Sequence, residues 1–594
     1  MPAIKISPFR GMLPAVDDRL LPDAYGAYAE NTWLYSGAAR GINKHTKLID
    51  VDSSTAKVFR IPNNFSDREH LLDSTWLEFT HPDTDVIRST VIGDTFDRYY
   101  WASPVIQPMY NTLARIKAGS SPFLLGVPRP GAITVSASGG SSGTTSTRAY
   151  VVTWMSAYGE EGPPSLPYLI TGKEDDTFTV TLPAAAAGDL GTDRNLTKVR
   201  VYRTVTSVGG NATYFLVDEV DIGAASYPDD TSDTDAASGV ELASTNWTAP
   251  PTDLQGITSL PNGIIAGFRS NEVWFCEPYR MHAWPTQYTV LTEYPIVGLG
   301  VVGQILVVLT KGSPELASGS HPASMVLSKL SALEACLSRG SILSTTDGVY
   351  YASPNGLILV NQAGTAVNVT RKLITPDKWQ KLTPAATLRC AQVGTAYYAY
   401  GSARFGVFEP TAFDVGAAFA DEDLSDAYSG ILVDPNSENV AFNLLSSGEP
   451  IVNVVTDVWS GEVLVVKDEA VYWLDIAGLN PEYEAFKWRS KIITTPSSRN
   501  FAALKVFFDV PATTPAQNPV RNTNAIQTLA ADQYGLVRAY ADGELVMTRE
   551  LRESGEMMRL PSGFTADFWQ FEIEARVHIS SLQIATSAKE LAGV

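Results

Sequence analysis

A chain of 594 residues, 44% hydrophobic and 18% charged, holds ample material for a core, which excludes bulk disorder and implies several domains or one large repeat. Its net charge of -20 argues against a protein that grips nucleic acid, because that needs Lys and Arg to displace counterions from phosphates. No apolar run reaches the ~18 residues of a membrane span, and the stretch MPAIKISPFRGMLPAVDD lacks the apolar core of a secretion signal.

Short runs rich in Val, Ile, Thr, Tyr and Phe recur between Gly, Pro, Asn and Asp clusters, so the expected class is all-β. Residues 1–125 read as an N-terminal arm followed by first propeller strands. A proline hinge and a Gly/Ser/Thr-rich stretch, Leu124 to Arg148, then open an insertion. Its strands AYVVTW, DTFTVTLP, NLTKVRVYRTV and ATYFLVDEV, closed by SYPDDTSDTDAASG and Pro250-Pro251, predict an immunoglobulin/fibronectin III-like β-sandwich over 126–250. Such a domain inserts readily into a loop, since its ends lie close together.

From 251 to 490 strand pairs start near Asn262, Gln304, Asp347, Gly394 and Glu462. Their steps, mostly near the length of a four-stranded blade, predict the remaining blades of a β-propeller core, with a large sandwich as second choice. The pairs Asn262-Gly263, Asp347-Gly348, Asn355-Gly356 and Asp542-Gly543 sit where hairpin turns need positive φ. TPDKWQKL, with Thr375 as N-cap and Pro376 at the first position, predicts a short helix. SMVLSKLSALEACLSRG fits a helix or two strands with a loop. A C-terminal β region, 491–594, ends in WQFEIEARVHISSLQIA. There Phe571, Ile573 and Ala575 should face a core, with Glu572, Glu574 and Arg576 on a wet face.

Motifs for chemistry are sparse. GLGVVG, Gly298 to Gly303, matches a dinucleotide-binding pattern, but a strand follows it where a helix is required, so a β-turn is expected. DDTSDTDAASG, Asp229 to Gly239, lacks the glycine and glutamate of an EF-hand and reads as a solvated acidic loop. The histidines His45, His70, His81, His282, His321 and His578 have no metal-ligand spacing. No metal and no cofactor is therefore expected. Glu160-Glu161 in the YGEEGPP turn, and Glu293, are weighed as a carboxylate pair for glycoside hydrolysis and read as surface residues. Cys276, Cys336 and Cys390 are far apart, with no CxxC, and read as buried thiols of a reducing compartment. The sequons at Asn195, Asn211, Asn246 and Asn368 then carry no glycosylation message.

The densest cluster is FCEPYRMHAWP, Phe275 to Pro285. Arg280 beside His282 disfavours an imidazolium base, and Pro278 and Pro285 stiffen the path, so a corner stapled by aromatics is expected rather than an active site.

The stretch LPNGIIAGFRSNEVWFCEPYRMHAWP resembles a segment of the tail nozzle (tail tubular) proteins of short-tailed bacteriophages. So do PFRGMLPAVDDRLLPDAYGAYAENTWLYSGAARGI, the YGEEGPPS insertion, GVYYASPNGLILV and RLPSGFTADFWQFEIEARVHISSLQIATSAKEL, in the same order along the chain. The resemblance implies a virion structural protein of the tail, made in the host cytoplasm, with a β-propeller fold and no catalytic residues. It implies a homohexameric ring below the portal and the head-to-tail adaptor protein, a site for tail fibres or spikes, and passage of genomic DNA without tight binding. Glu277, Tyr279, His282 and Trp284 are then architecture or subunit contacts. Two other readings compete: a host-surface glycan binder stacking sugars on Trp247 or Trp379, and a glycan-degrading enzyme.

Overall fold

The computed structural model describes residues 3–34, 37–66, 70–206, 212–331, 333–404, 428–435, 441–474, 483–509 and 534–591, and its regular structure is almost entirely strand. The longest helix among the described residues is Pro376–Leu382, with Thr375 at its N-cap and Trp379 buried beneath it. The chain divides into two units, Asp83–Leu333 and a discontinuous one of Met1–Pro82 with Glu334–Val594.

In the Asp83–Leu333 unit, three four-stranded antiparallel meanders are of the β-propeller blade type. The first comprises Asp85–Arg88, Arg98–Ala102, Met109–Thr112 and Phe123–Leu124. The second comprises Gln255–Leu260, Ile264–Arg269, Glu272–Phe275 and Val290–Leu291, and the third Ile296–Val302, Ile305–Thr310, Glu315–Ser318 and Val326–Lys329. The second meander shows why these strands read as near-continuous apolar runs. Ile264, Ala266, Phe268, Val273 and Phe275 pack on Ile296, Leu306 and Val308 of the third. The alternate residues Ile265, Trp274 and Cys276 pack on Tyr100, Ala102 and Tyr110 of the first. Both faces of a blade are dry, so strand alternation here separates one core from another rather than core from water.

Between the first and second meanders lies the insertion, as two facing antiparallel sheets. One has Thr134–Ser138, Thr177–Thr181 and Ser226–Asp229; the other runs Tyr168–Lys173, Thr145–Ser156, Leu196–Thr206, Ala212–Asp221. Val135, Phe178 and Val180 of the first sheet meet Tyr150, Val152, Trp154, Val199 and Val201 of the second in one core. The stretch Asp229 to Gly239 is exposed at Asp230, Ser232, Thr234, Asp235, Ala237 and Ser238, as a solvated run should be, and the correction concerns two of its acids, which are tied to arginines. Asp229 is fully buried, accepting from the Tyr150 hydroxyl at 2.7 Å and paired with Arg203 at 3.3 Å, while Asp233 pairs with Arg148 at 2.8 Å. Buried guanidiniums need counter-ions, and this acidic run supplies them.

In the discontinuous unit a meander of Leu343–Ser344, Gly348–Ser353, Gly356–Asn361 and Ala366–Asn368 precedes a second run of antiparallel strands, Arg389–Val393, Ala396–Arg404, Tyr428–Val433 and Phe442–Ser447. The next meander, Asn453–Thr456, Val463–Lys467 and Ala470–Leu474, takes its outer strand, His45–Asp50, from the far end of the chain, with His45 opposite Leu474. Beyond Phe442–Ser447 the sheet continues through Arg10–Met12, Tyr25–Glu30, Phe486–Ser490, Ala566–Ala575, Gly535–Ala541 and Glu544–Glu550. The expected boundary at 490/491 thus falls inside one sheet: Phe486–Ser490 and Ile493–Arg499, on either side of it, both pair with Ala566–Ala575.

All five expected strand pairs are present, each within an antiparallel run of four. Asn262-Gly263 (φ 63° and 71°) and Asp542-Gly543 (48° and 92°) occupy the left-handed region at both positions, as type I′ turns require. Asp347 and Asn355 do not. Gly298 to Val302 lies in a strand and Gly303 turns it, and SMVLSKL contains the strand Val326–Lys329.

The wet face expected at Ala566–Ala575 is a second correction. Glu572 is 2% exposed and bridges Arg489, at 2.7 Å, and Arg538, at 2.6 Å; Arg538 also reaches Glu574 at 2.9 Å. The strand lies in the interior of a wide sheet, where a charged side chain persists only with partners on the neighbouring strands.

Candidate functional site

The corner Phe275 to Pro285 leaves the third strand of the second meander and turns back on the hairpin before it. The Glu277 amide donates to the Ala283 carbonyl at 2.9 Å, and the Tyr279 amide to the Gly263 carbonyl at 2.8 Å. Tyr279 has φ 61° and its ring lies on Gly263, where an added Cβ would come within 2.3 Å of it; glycine is what lets the ring settle there. Trp284 is fully buried, with Nε1 donating to the Met281 carbonyl at 2.8 Å. Its amide donates to the Thr248 carbonyl at 2.7 Å, and Thr248 Oγ1 donates back to the Trp284 carbonyl at 2.6 Å. The Arg280 guanidinium sits 4.3 Å from the Trp247 ring centre. The end of the insertion is thereby stitched to the corner.

His282 makes the second stitch. It is buried, and Nε2 lies 3.1 Å from the Glu161 carbonyl, so the Nε2–H tautomer donates there. Nδ1 lies 4.0 Å from the Glu160 carboxylate. Burial lowers the imidazole below its ordinary 6.5; the Glu160 charge opposes this, while Arg280 and Arg98 reinforce it.

Glu160 and Glu161 are a correction to the sequence reading, since both are buried rather than exposed. Glu160 pairs with Arg98 at 2.7 Å and accepts from the Ser156 hydroxyl at 3.2 Å and the Tyr110 hydroxyl at 3.3 Å. Glu161 accepts from Thr153 at 2.7 Å, Tyr202 at 2.8 Å and Arg200 at 2.9 Å. Arg98, in the aromatic run RYYWA, gives no specific signal for Glu160, since it also pairs with Asp94 at 2.8 Å, and Glu161 is held by Arg200 instead. Glu293 is exposed and paired with Lys329, as a surface residue should be.

This arrangement is poor in reactive groups. Burial pushes the thiols of Cys276, Cys336 and Cys390 up to about 12, and all three are buried and free. Of the four residues singled out, His282 and Trp284 are interior architecture. Glu277 accepts from the Tyr288 hydroxyl at 2.9 Å, and Tyr279 is 52% exposed. Trp247 and Trp379, weighed as sugar platforms, are both buried, since each packs in a core. The sequon at Asn211 lies outside the described residues.

Because the folded chain keeps His282 neutral, the unfolded chain binds a proton that the folded one refuses below its ordinary 6.5. The stability contributed by the neutral ring is therefore complete above that pH and falls away on acidification. His282→Gln is expected to flatten the loss of stability between about pH 7 and pH 5, measured by urea unfolding of both proteins at each pH. Identical slopes would show that the ring titrates alike in both states.

No family model matches the chain, and no curated protein matches it. Solved structures do. The WD40 domain of Pan2 from Neurospora crassa is 11% identical over 51% of this chain and 84% of that one, with a TM-score of 0.25. The C-terminal WD40 domain of Sif2 is 10% identical over 73% and 98%, with a TM-score of 0.27. AztD from Citrobacter koseri is 13% identical over 63% and 77%, with a TM-score of 0.25. Likenesses of this size carry no argument, and the blade architecture rests on the sheets described above.

Proposed function

We propose that the chain is a structural protein of the virion, the nozzle ring at the distal end of a short-tailed phage tail. In this reading six copies form a channel below the portal and adaptor, carry tail fibres or spikes, and release genomic DNA without gripping it. The observation that carries it is the corner Phe275 to Pro285, the centre of the resemblance to nozzle proteins. Its His, Glu and Cys side chains are spent on internal ties, the use a scaffold makes of them. The charge of -20 fits a channel wall, since acidic surfaces repel phosphates and offer no cations for counterion release. The inserted sandwich is read as fibronectin III-like on the same footing.

Quantitative mass spectrometry of purified virions tests the proposal. Peptides of this chain are expected at about half the abundance of a twelvefold portal, as a sixfold ring on a common axis requires. Absence from virions would overturn it. Native mass spectrometry supplies a second readout: Tyr279→Glu is expected to reduce hexamer formation while leaving the melting temperature unchanged if Tyr279 is a subunit contact.

A further inference from the structure

In the discontinuous unit, the wide sheet and the meander completed by His45–Asp50 line a pocket of about 430 Å³ that is open to solvent on one side, the size of a small-ligand site. Its lining comes from distant segments, including Glu30, His45, Tyr400, Glu449, Lys467 and Glu484. Most of its polar groups are satisfied by one another. Asn31 and Ser446 exchange hydrogen bonds of 2.8 and 2.9 Å, the Ser447 hydroxyl donates to the Glu449 carbonyl at 2.9 Å, and Lys467 pairs with Glu449 at 3.2 Å. His45 Nε2 lies 3.0 Å from the Tyr398 hydroxyl. Burial, with Lys467 nearby, lowers this imidazole to about 3, so it adds no charge at neutral pH.

Two carboxylates of the lining leave acceptor capacity open. Glu30 is 5% exposed and receives the Tyr28 hydroxyl on one oxygen at 2.7 Å, which leaves its second oxygen open. The Glu484 backbone amide donates to the Ile42 carbonyl at 2.8 Å, but among the described residues its carboxylate has neither a hydrogen bond nor an ion pair. Glu30, Glu449 and Glu484 outnumber Lys467 and Lys487 around the pocket. An anion would meet uncompensated carboxylate there. Among the described residues no group of three or more His, Cys, Asp or Glu is placed to hold a metal ion.

We propose that this pocket binds a primary aliphatic ammonium group, with Glu484 as counter-ion and the open oxygen of Glu30 as second acceptor. Its source is either a free polyamine or a lysine side chain of another protein.

Titration calorimetry on the full chain, in about 0.15 M salt to screen diffuse charge, tests this with spermidine and with N-acetyl-lysine methylamide. One saturable site is expected. Binding of spermidine alone assigns a free polyamine, and binding of both assigns a lysine side chain. Glu484→Gln is expected to weaken binding about tenfold or more, the factor carried by one charge-assisted hydrogen bond, with Glu484→Asp restoring part of it. Glu544→Gln, on the exposed strand Glu544–Glu550, should change nothing. Equal weakening by Glu484→Gln and Glu544→Gln, which would signal bulk charge, overturns the proposal. So does the absence of saturation, or tighter binding of a neutral monosaccharide such as galactose than of either amine.

Discussion

Glu572→Ala is expected to destabilise the discontinuous unit by about 3–5 kcal/mol, the cost of breaking a buried ion pair by removing one partner. The carboxylate is shared by Arg489 and Arg538, whose side chains are 8% and 17% exposed, so its loss leaves two guanidiniums facing each other with little water. Glu574 remains for Arg538, at 2.9 Å, whereas Arg489 loses two hydrogen bonds to Glu572, of 2.9 and 2.7 Å. Urea unfolding followed by tryptophan fluorescence reads the effect directly, because Trp488 and Trp569 are buried in neighbouring strands of the same sheet. The charges act as a unit, and the triple replacement Glu572→Met, Arg489→Leu, Arg538→Leu should recover most of the loss. A single-mutant change below about 1 kcal/mol would mean that water reaches the cluster.

Trp284→Ala carries the second large effect, again about 3–5 kcal/mol, from emptying a fully buried indole site. Trp284 shares its core with Tyr100, Tyr110, Ile257, Ile265 and Trp274, so the cavity opens where the first and second meanders meet. Truncation also orphans the Met281 carbonyl that receives Nε1–H. Tyr279→Gly makes the contrast: it removes an exposed ring from a φ of 61° that glycine adopts freely, and should change stability by less than about 1 kcal/mol. Thermal unfolding of the two variants separates the roles within one short corner. Comparable losses would mean that the Tyr279 ring is as integral to the fold as the Trp284 indole.

What the sequence revealed was local. The turn pairs at Asn262-Gly263 and Asp542-Gly543, the Thr375-Pro376 helix start and the apolar runs of the blades depend on neighbours within a few residues, and each is present in the fold. The buried charges were not legible, because their partners are remote. Arg98 and Glu160 are 62 positions apart, and Arg489 and Glu572 are 83. An acid beside Gly and Pro looks like a surface turn until the strand carrying its cation is placed. The same distance hides the pocket, whose walls come from residues near 30, 45, 400, 447, 467 and 484. At the corner, the stapled geometry could be argued from Pro278, Pro285 and the aromatics. The tie from His282 to Glu161 could not, since it joins segments 121 positions apart.

The strand His45–Asp50 leaves the ribosome long before its partner Ala470–Leu474 is made. At ~5–20 residues per second, the early strand waits tens of seconds with an open edge. The Asp83–Leu333 unit is contiguous and has every strand it needs well before then. Synthesis therefore orders assembly: the Asp83–Leu333 unit can fold as it emerges, while the segments flanking it join only once Ala470–Leu474 has been made. Premature stops before residue 470 should yield chains whose middle resists protease while their N-terminal segment is digested, with the early strand's edge the part most in need of a chaperone.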